Sequence, residues 1–266
     1  MAAKVELRSA RALVTGGGGG IGRATARALA SEGAHVLVAD IDFAAAEKVV
    51  AEIAERGGTA EAHELDVTDA GAVAALAAAV DRLDVVVANA GVGMSGRLSD
   101  MTLDDWRWIR SVNLDGVVHT CHAFGPAMLE AGHGHVVIVA SGLAFTPRAT
   151  EPAYCTTKAA ALALAQCLRA DWGRSGVGVS AVCPGVINTG ILDHTRFVGA
   201  AADTEAKTRK AFRRGHKPET VARDVLRAIN ADKAIVTPGF ESRIGWWLHR
   251  LAPIAVQQRI ARQVVR

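Results

Sequence analysis

Tyr154 and Lys158 are the side chains of this sequence best suited to move a proton together. They stand four positions apart in an alanine-rich segment, so in a helix both would project from one face. A free tyrosine has a pKa near ~10, so it acts as a base at neutral pH only if its phenolate gains roughly 4 kcal/mol of stabilisation. The ammonium of Lys158 could supply part of this in a partly desolvated cleft. A surface pair is the commoner explanation of this spacing, but here it contains the one tyrosine of the chain and follows Ser141 at a predicted strand end.

Five consecutive glycines at 16–20, followed by Ile21 and Gly22, come between an apolar run and an alanine-rich segment. Backbone N–H groups can touch a pyrophosphate only where no Cβ intervenes, and a helix that begins there adds partial positive charge. A flexible turn would also explain the glycines. Their place between a strand and a helix favours nucleotide binding, with contacts from Gly16, Gly20, Ile21 and Gly22.

Asp40 ends the second apolar run, eighteen positions after Gly22. A carboxylate there can accept hydrogen bonds from ribose hydroxyls and repels a 2′-phosphate, which predicts NAD in preference to NADP. Arg23, just after the glycines, leaves NADP as an option. Further candidate contacts follow other predicted strands, at the edge where ligands bind in open α/β sheets: Asp66, Val67, Asn89, Ala90 and Gly91.

Short β-branched runs alternate with Ala- and Leu-rich segments along the chain. Strands are predicted at 12–15, 35–39, 60–65, 85–88, 135–140, 177–182 and 234–237, and helices at 22–31, 44–56, 70–80, 103–130, 152–174 and 219–230. This alternation predicts an α/β fold, a Rossmann-type doubly wound parallel sheet of about seven strands with helices on both faces. We expect one dinucleotide-binding and catalytic domain over 1–240, followed by a helical C-terminal extension at 241–266.

Composition excludes several classes of function. The 266 residues are 50% hydrophobic, and 30 basic residues against 27 acidic ones are interspersed, which does not favour nucleic acid as a partner. Four cysteines without a CxxC pair and nine histidines without acidic or cysteine partners predict neither a disulfide framework nor a metal site. The first ten residues contain no apolar signal region, and no run of about 18 apolar residues occurs, so we expect a cytoplasmic protein.

Taken in order from residue 11 to residue 190, these motifs resemble those of the short-chain dehydrogenase/reductase family in its compact, single-domain form. The matching positions are the glycine loop that ends at Gly22, Asp66, Val67, Asn89, Ala90, Gly91, Asn113, Ser141, Tyr154, Lys158, Pro184, Gly185 and Thr189. Ala88 stands where many members have a second asparagine, and Thr156 replaces a usual small residue. Neither departure touches a residue that the chemistry needs.

The resemblance implies a role for each polar group of the site. Tyr154 would be the general acid/base and Ser141 would anchor the substrate oxygen. Lys158 would contact the nicotinamide ribose and lower the pKa of Tyr154, which also borders the cofactor. Asn113 would hold a water that links Lys158 to solvent, and Thr189 would contact the carboxamide. The cofactor contacts implied at this end of the motif set are Pro184, Gly185 and Thr189.

The implied activity is an NAD(P)-dependent transfer of hydride between nicotinamide and a secondary alcohol or ketone. A non-catalytic nucleotide-binding regulatory protein of the same fold is the alternative, although a pure binder has no use for a tuned phenol. A sugar-nucleotide epimerase would require a different glycine spacing. Helices 103–130 and 152–174 carry more apolar residues than one face needs, and relatives pair these helices, so we expect a homodimer or homotetramer.

Two segments interrupt the alternation. Residues 190–218, in which no strand is predicted, match the substrate lid of the family, and their apolar side chains imply a hydrophobic substrate: Ile191, Leu192, Phe197, Val198 and Phe212.

The C-terminal extension at 241–266 is the second such segment. Ile244, Trp247, Leu248 and Leu251 fall on one helical face, and Pro253 can start a second helix. Its basic residues are Arg243, Arg250, Arg259, Arg262 and Arg266. We favour packing of the extension on its own subunit or on a partner subunit. Two alternatives stay open: the extension could close the substrate pocket, or it could contact an anionic membrane surface, which we do not favour.

Overall fold

Seven parallel strands form the central sheet of the chain, whose computed structural model describes residues 5–262. The strands within residues 5–262 are β1 (Arg11–Thr15), β2 (His35–Asp40), β3 (Thr59–Glu64), β4 (Val85–Ala88), β5 (Gly93–Ser95), β6 (Gly134–Val139), β7 (Val177–Val182), β8 (Thr195–Phe197) and β9 (Ile235–Val236). The sheet order is β3-β2-β1-β4-β6-β7-β9, and every neighbouring pair is parallel. The prediction of a doubly wound parallel sheet is confirmed.

Ten helices within the described residues cover the sheet and extend beyond it. They are α1 (Gly20–Ser31), α2 (Phe43–Ala54), α3 (Ala70–Ala79), α4 (Leu103–Arg110), α5 (Gly116–Ala131), α6 (Pro152–Trp172), α7 (Glu205–Phe212), α8 (Pro218–Asn230), α9 (Phe240–Leu251) and α10 (Ile254–Ala261). Successive strand residues point to opposite faces, so Leu13 packs in the apolar layer with α3, α5 and α6 while Val14 packs with α1, α2 and α8. This is why the strands read as continuous apolar runs.

The helix predicted at 103–130 contains a π-helical turn, Ser111–Asp115, between α4 and α5. Thr102 caps α4, since its hydroxyl accepts a hydrogen bond from the Asp105 N–H at 3.0 Å and the Asp105 carboxylate accepts one from the Thr102 N–H at 3.1 Å. A π turn inserts one extra residue into the helix, and such turns often occur at functional sites. Here it contains Asn113.

Residues 190–218 do contain a strand, which corrects the expectation that they have none. β8 pairs in parallel with β5 as a separate two-stranded sheet, with Met94 opposite Arg196. Each strand has three residues, too few for a period-2 pattern to be recognised. The remainder of this segment forms 3-10 turns and α7.

The C-terminal extension forms two helices, α9 and α10. α9 contacts its own subunit through Trp246, whose ring centroid lies 4.8 Å from that of Phe145. Ile244, Trp247 and Leu251, which belong to the apolar row of the sequence, are exposed on this subunit. Residues 1–4 and 263–266, which include Arg266, lie outside the described part of the chain. Among residues 5–262, the helices are too short or too polar for any of them to cross a bilayer.

Candidate active site

The glycine loop is held to the neighbouring strand β4 by Asn89. The Asn89 side-chain amide donates to the carbonyl oxygens of Thr15 at 2.9 Å and Gly16 at 3.0 Å. The Thr15 hydroxyl accepts from the backbone N–H groups of Asn89 at 3.0 Å and Ala90 at 3.2 Å. Asn89 and Ala90 therefore join the loop to the end of β4 through hydrogen bonds to its backbone carbonyls and to Thr15.

The glycines of this loop differ in what a side chain would meet. A Cβ on Gly22 would overlap the Gly16 carbonyl oxygen and come within 2.6 Å of the Asn89 amide nitrogen. Gly16 and Gly20 have φ angles of +61° and +50°, in the left-handed region that favours glycine. A Cβ on Gly19 would have no described heavy atom within 4 Å. The turn is therefore closely packed at Gly22 and open at Gly19, which lies two residues before Ile21 in the first turn of α1. This shape fits the binding of a pyrophosphate by the loop backbone.

Asp40 lies at the end of β2 with its carboxylate against this loop. One carboxylate oxygen accepts from the Gly18 N–H at 2.8 Å, and the other accepts from the Asp42 N–H at 3.0 Å. Arg23, the residue that left NADP as an option, forms a two-pronged ion pair with Glu52 at 2.6 and 2.8 Å. The carboxylate is thus next to the loop, while the nearby guanidinium is bound to another partner.

Asp66 and Val67 form a turn after β3. The Asp66 carboxylate accepts from both the backbone N–H and the hydroxyl of Thr68 at 2.8 Å. The Val67 carbonyl lies 2.9 Å from His119 Nδ1. These contacts fix the turn between β3 and α3 on the same edge of the sheet as the glycine loop.

Ser141, Tyr154 and Lys158 meet where β6 ends and α6 begins. Tyr154 is half-buried and packs in a small apolar cluster with Met94 and Ile109, and Ser141 is buried. Burial raises the pKa of Tyr154 to about 12, while hydrogen bonding from Ser141 opposes the rise and the charge of Glu151 adds to it. Within the protein fold alone, this phenol is harder to ionise than a free tyrosine.

Lys158 is buried next to Tyr154. Its ammonium lies 6.0 Å from the centroid of the tyrosine ring and donates to the Val139 carbonyl at 3.0 Å. Burial lowers the pKa of Lys158 to about 8. A Cβ on Gly91 would come within 3.2 Å of both Lys158 Nζ and Asn113 Oδ1, so this glycine leaves room for the two polar groups.

Asn113 is fully buried, and its side chain is held by the backbone of Val92. Its amide oxygen accepts from the Val92 N–H at 2.8 Å, and its amide nitrogen donates to the Val92 carbonyl at 3.0 Å. The amide also lies 3.4 Å from the Thr157 hydroxyl on α6. Asn113 therefore ties the π turn to the strand end and to the helix that carries Tyr154.

Pro184, Gly185 and Thr189 follow β7 on the same edge. The Pro184 carbonyl accepts from the Gly142 N–H at 2.7 Å, which joins this loop to the turn after Ser141. Thr189 caps the 3-10 turn Gly190–His194, and its Cβ would lie 3.1 Å from a Cβ on Gly20. The loop after β7 thus contacts the glycine loop at Gly20.

Glu151 and Arg148 are the site residues that motif reasoning missed. Glu151 precedes α6 without capping it, and its carboxylate lies 3.6 Å from the Arg148 guanidinium. Burial raises the pKa of Glu151, and Arg148 opposes the rise. No motif includes the position three residues before Tyr154, but a carboxylate on the same helical face as a reactive phenol was a signal available from spacing.

Residues 190–218 are fixed to the body of the protein near Tyr154. The Arg196 guanidinium on β8 lies 3.9 Å from the Trp108 ring centroid and 2.9 Å from the Asp105 carboxylate. Val198 joins the apolar cluster that contains Tyr154. The surroundings of Tyr154 on this side are therefore apolar.

The family model described as short chain dehydrogenase matches residues 10–197. The chain belongs to the short-chain dehydrogenase family. The probable oxidoreductase EphD of Mycobacterium tuberculosis is 40% identical over 264 residues, which are 95% of this chain and 45% of that protein. The chain thus spans less than half the length of that relative.

Two solved short-chain dehydrogenases resemble it along almost the whole chain. A family member from Burkholderia phymatum in complex with NAD has a TM-score of 0.88 at 27% identity and covers 98% of both chains. A putative NAD(P)-dependent gluconate 5-dehydrogenase from Beutenbergia cavernae with bound NADP has a TM-score of 0.77 at 33% identity, over 92% of this chain and 99% of that one. The family fold therefore accompanies either cofactor.

Proposed function

We propose that the protein is an NAD-preferring dehydrogenase that interconverts secondary alcohols and ketones, with Tyr154 as the group that moves the hydroxyl proton. The observation that carries this proposal is the meeting of Ser141, Tyr154 and Lys158 at the sheet edge that also holds the glycine loop. We assign this chemistry to a domain at 1–240, with residues 190–218 as its substrate lid. A bound nicotinamide supplies the hydride acceptor or donor.

In this proposal each polar group acts on one atom. Ser141 donates a hydrogen bond to the substrate oxygen, and Tyr154 takes the proton from that oxygen in oxidation or returns it in reduction. Lys158 contacts the nicotinamide ribose, and its positive charge favours the phenolate. Asn113 fixes the π turn and holds the water that connects Lys158 with solvent.

The cofactor contacts follow from the same edge. Gly16, Gly20, Ile21 and Gly22 cradle the pyrophosphate, and the remaining contacts come from Asp66, Val67, Asn89, Ala90, Gly91, Pro184, Gly185 and Thr189. The preference for NAD rests on Asp40, whose carboxylate would accept the ribose hydroxyls and repel a 2′-phosphate. The Arg23–Glu52 pair supports this preference, because a guanidinium already paired with a carboxylate is a poor partner for an added phosphate.

The apolar side chains around Tyr154 and in residues 190–218 support a hydrophobic substrate. Val198 packs with the tyrosine beside the buried Met94 and Ile109, and β8 is held there by the Arg196–Trp108 contact. A secondary alcohol with an apolar body would bury that body here while its hydroxyl meets Ser141 and Tyr154.

We also propose a homodimer or homotetramer that pairs α5 and α6. Val118 on α5 is 40% exposed, whereas Val117, Leu162 and Ala165 are buried within one subunit. The uncovered apolar face is thus narrower than the sequence predicted. A mass by light scattering equal to one chain at micromolar concentration would exclude this assembly.

A panel of apolar and polar secondary alcohols tests the proposed activity through NADH formation at 340 nm, a general property of the reduced cofactor. We expect turnover of at least one apolar alcohol with NAD, and slower turnover of polyols. If calorimetry shows NAD binding while no alcohol or ketone in the panel reacts in either direction, the proposal fails. That result would support the alternative, a non-catalytic nucleotide-binding protein.

A further inference from the structure

Helix α9 has two different faces on opposite sides. One face packs on the subunit through Ser242, whose hydroxyl donates to the Cys183 carbonyl at 2.5 Å, and through Trp246 against Phe145. The opposite face carries an apolar stripe. Its members are Phe240, Ile244, Trp247 and Leu251, which are 64%, 53%, 53% and 74% exposed. Their spacing of four, three and four residues keeps all of them in one narrow row along the helix.

Helix α10, after the bend at Pro253, exposes two further apolar side chains. Ile254 is 69% exposed and borders a cavity that is also lined by Leu248 and Phe145, and Val256 is exposed as well. The helix is anchored at its far end, where the Ala261 carbonyl accepts from the Ala149 N–H at 3.1 Å. Monomeric proteins rarely leave large apolar side chains contiguous in this way unless the surface binds something.

Arginines surround the apolar stripe. Four of them lie on α9, on α10 or directly after α10, and all four are exposed: Arg243, Arg250, Arg259 and Arg262. Between residues 240 and 262 the sequence has one acidic residue, Glu241, and its carboxylate lies 3.0 Å from His216 Nε2. The surface is therefore apolar at its centre and basic at its margins.

We propose that α9 and α10 lie on an anionic lipid surface, with the apolar stripe in the headgroup region and the arginines on the lipid phosphates. Helices that rest on a bilayer combine Trp, Phe and Leu on one side with Arg or Lys beside them, and this pair of helices has that composition. The inference does not depend on which alcohol the protein oxidises.

Charge is what favours lipid over a second copy of the chain. If two stripes paired across a two-fold axis, Arg243 and Arg250 of both copies would approach each other with no acidic residue of α9 free to oppose them. Like charges brought together in this way weaken helix pairing. An anionic lipid surface neutralises the same arginines.

Sedimentation with vesicles tests the inference directly. We expect the 266-residue chain to sediment with vesicles of phosphatidylcholine mixed with phosphatidylglycerol and to stay in solution with phosphatidylcholine alone. Binding should weaken as salt is raised, because the contribution of surface charges is screened. Absence of sedimentation with the anionic vesicles at low salt would overturn the proposal.

Two double variants assign the binding to this surface. Ile244→Ser with Trp247→Ser should lower the partition coefficient at least about tenfold, whereas Leu98→Ser with Leu103→Ser, which changes exposed leucines elsewhere, should leave it unchanged. Arg243→Gln with Arg259→Gln should lower it by roughly 30-fold. Arg56→Gln with Arg223→Gln removes the same charge from other exposed positions and is the matched control. Equal losses in a test variant and its control would refute the assignment.

Light scattering without lipid tests the competing occupant. If the protein self-associates and Ile244→Ser with Trp247→Ser lowers the mass, a second copy covers the apolar stripe and the lipid proposal is wrong. If the mass is unchanged while vesicle binding is lost, the proposal stands.

Discussion

The glycine loop and the Tyr154 cluster lie on the same edge of the sheet, but they are built in different ways. The loop is held by hydrogen bonds from the Asn89 side-chain amide to backbone carbonyls, by the Thr15 hydroxyl, which accepts from the Asn89 N–H, and by close contacts that only glycine permits. The tyrosine cluster is governed by burial, which raises the pKa of Tyr154 to about 12 and lowers that of Lys158 to about 8. Under the proposed function, cofactor binding would therefore depend on the shape of the loop, while proton transfer would depend on the local electrostatic environment of Tyr154.

This difference implies that the two functions can be damaged separately. A change to the shape of the loop should weaken cofactor binding and stability together, because the loop is also a packing contact between β1 and β4. A change to the charge around Tyr154 should alter rate and pH dependence while cofactor affinity is preserved.

Tyr154→Phe is expected to give the largest difference between the effect on turnover and the effect on NAD affinity. Removing the hydroxyl takes away the proposed acid/base group, so kcat should fall at least ~10²-fold while the dissociation constant for NAD stays near that of the wild type. Stopped-flow or steady-state kinetics with calorimetric NAD titration measure both quantities. Thr156→Val, two residues further on the same helix and exposed, is the control and should keep its activity. Turnover by the phenylalanine variant near the wild-type rate would remove Tyr154 from the mechanism.

Gly22→Ala should produce the opposite pattern. The added methyl would overlap the Gly16 carbonyl, and overpacking of this kind costs about 1–3 kcal/mol, so NAD affinity should fall roughly tenfold or more and Tm should drop. Gly19→Ala is the matched control, because no described atom lies within 4 Å of its Cβ, and its Tm should not change. If both variants have the same Tm, the loop is not the tight packing element that its geometry indicates.

Asp40→Ala should change the choice of cofactor more than the rate with the preferred one. Loss of the carboxylate removes repulsion of a 2′-phosphate and a hydrogen bond to the ribose, so the ratio of kcat/KM for NAD over NADP should fall by roughly tenfold. Arg23→Gln is the comparison, since Arg23 is paired with Glu52 and should not affect this ratio. A wild-type preference for NADP, or a larger effect from Arg23→Gln, would transfer the discrimination to the arginine.

Much of the fold was predictable because sequence patterns that extend over several residues specify its strands and helices. Continuous apolar strands and alanine-rich helices predicted the seven-stranded sheet, and fixed spacings placed Ser141, Tyr154 and Lys158 in one cluster. β5 and β8 were not predictable, because pairs of three-residue strands form through tertiary contact alone.

The sequence left open which face of α9 packs on the subunit, for a related reason. Its most regular apolar row includes Ile244, Trp247 and Leu251, and periodicity alone assigns such a row to the protein interior. The structure instead packs Ser242 and Trp246, because Phe145 and the Cys183 carbonyl lie on that side. A sequence pattern shows which faces of a helix are apolar, but the neighbouring elements decide which one is buried.

Glu151→Gln has the smallest expected effect of these variants, and it tests specifically whether charge near Tyr154 controls proton transfer. The negative charge of Glu151 opposes ionisation of Tyr154, so its removal should lower the pKa of the tyrosine. In alcohol oxidation the rate rises with pH as the base becomes deprotonated, and a lower pKa moves this rise to lower pH. The pH profiles of kcat and kcat/KM should therefore shift towards acid, with NAD affinity unchanged, because the glycine loop has not been altered.

The control for this test is Glu47→Gln, which removes the same charge from an exposed position on α2. Its profile should coincide with that of the wild type. A shift towards alkaline pH for Glu151→Gln would mean that the carboxylate acts on the substrate oxygen or through Arg148, whose guanidinium it faces at 3.6 Å, more strongly than on the phenol. A fall in NAD affinity would show that the two halves of the edge are coupled. Either result would contradict the division between a cradle built by shape and a proton-transfer group controlled by burial and charge.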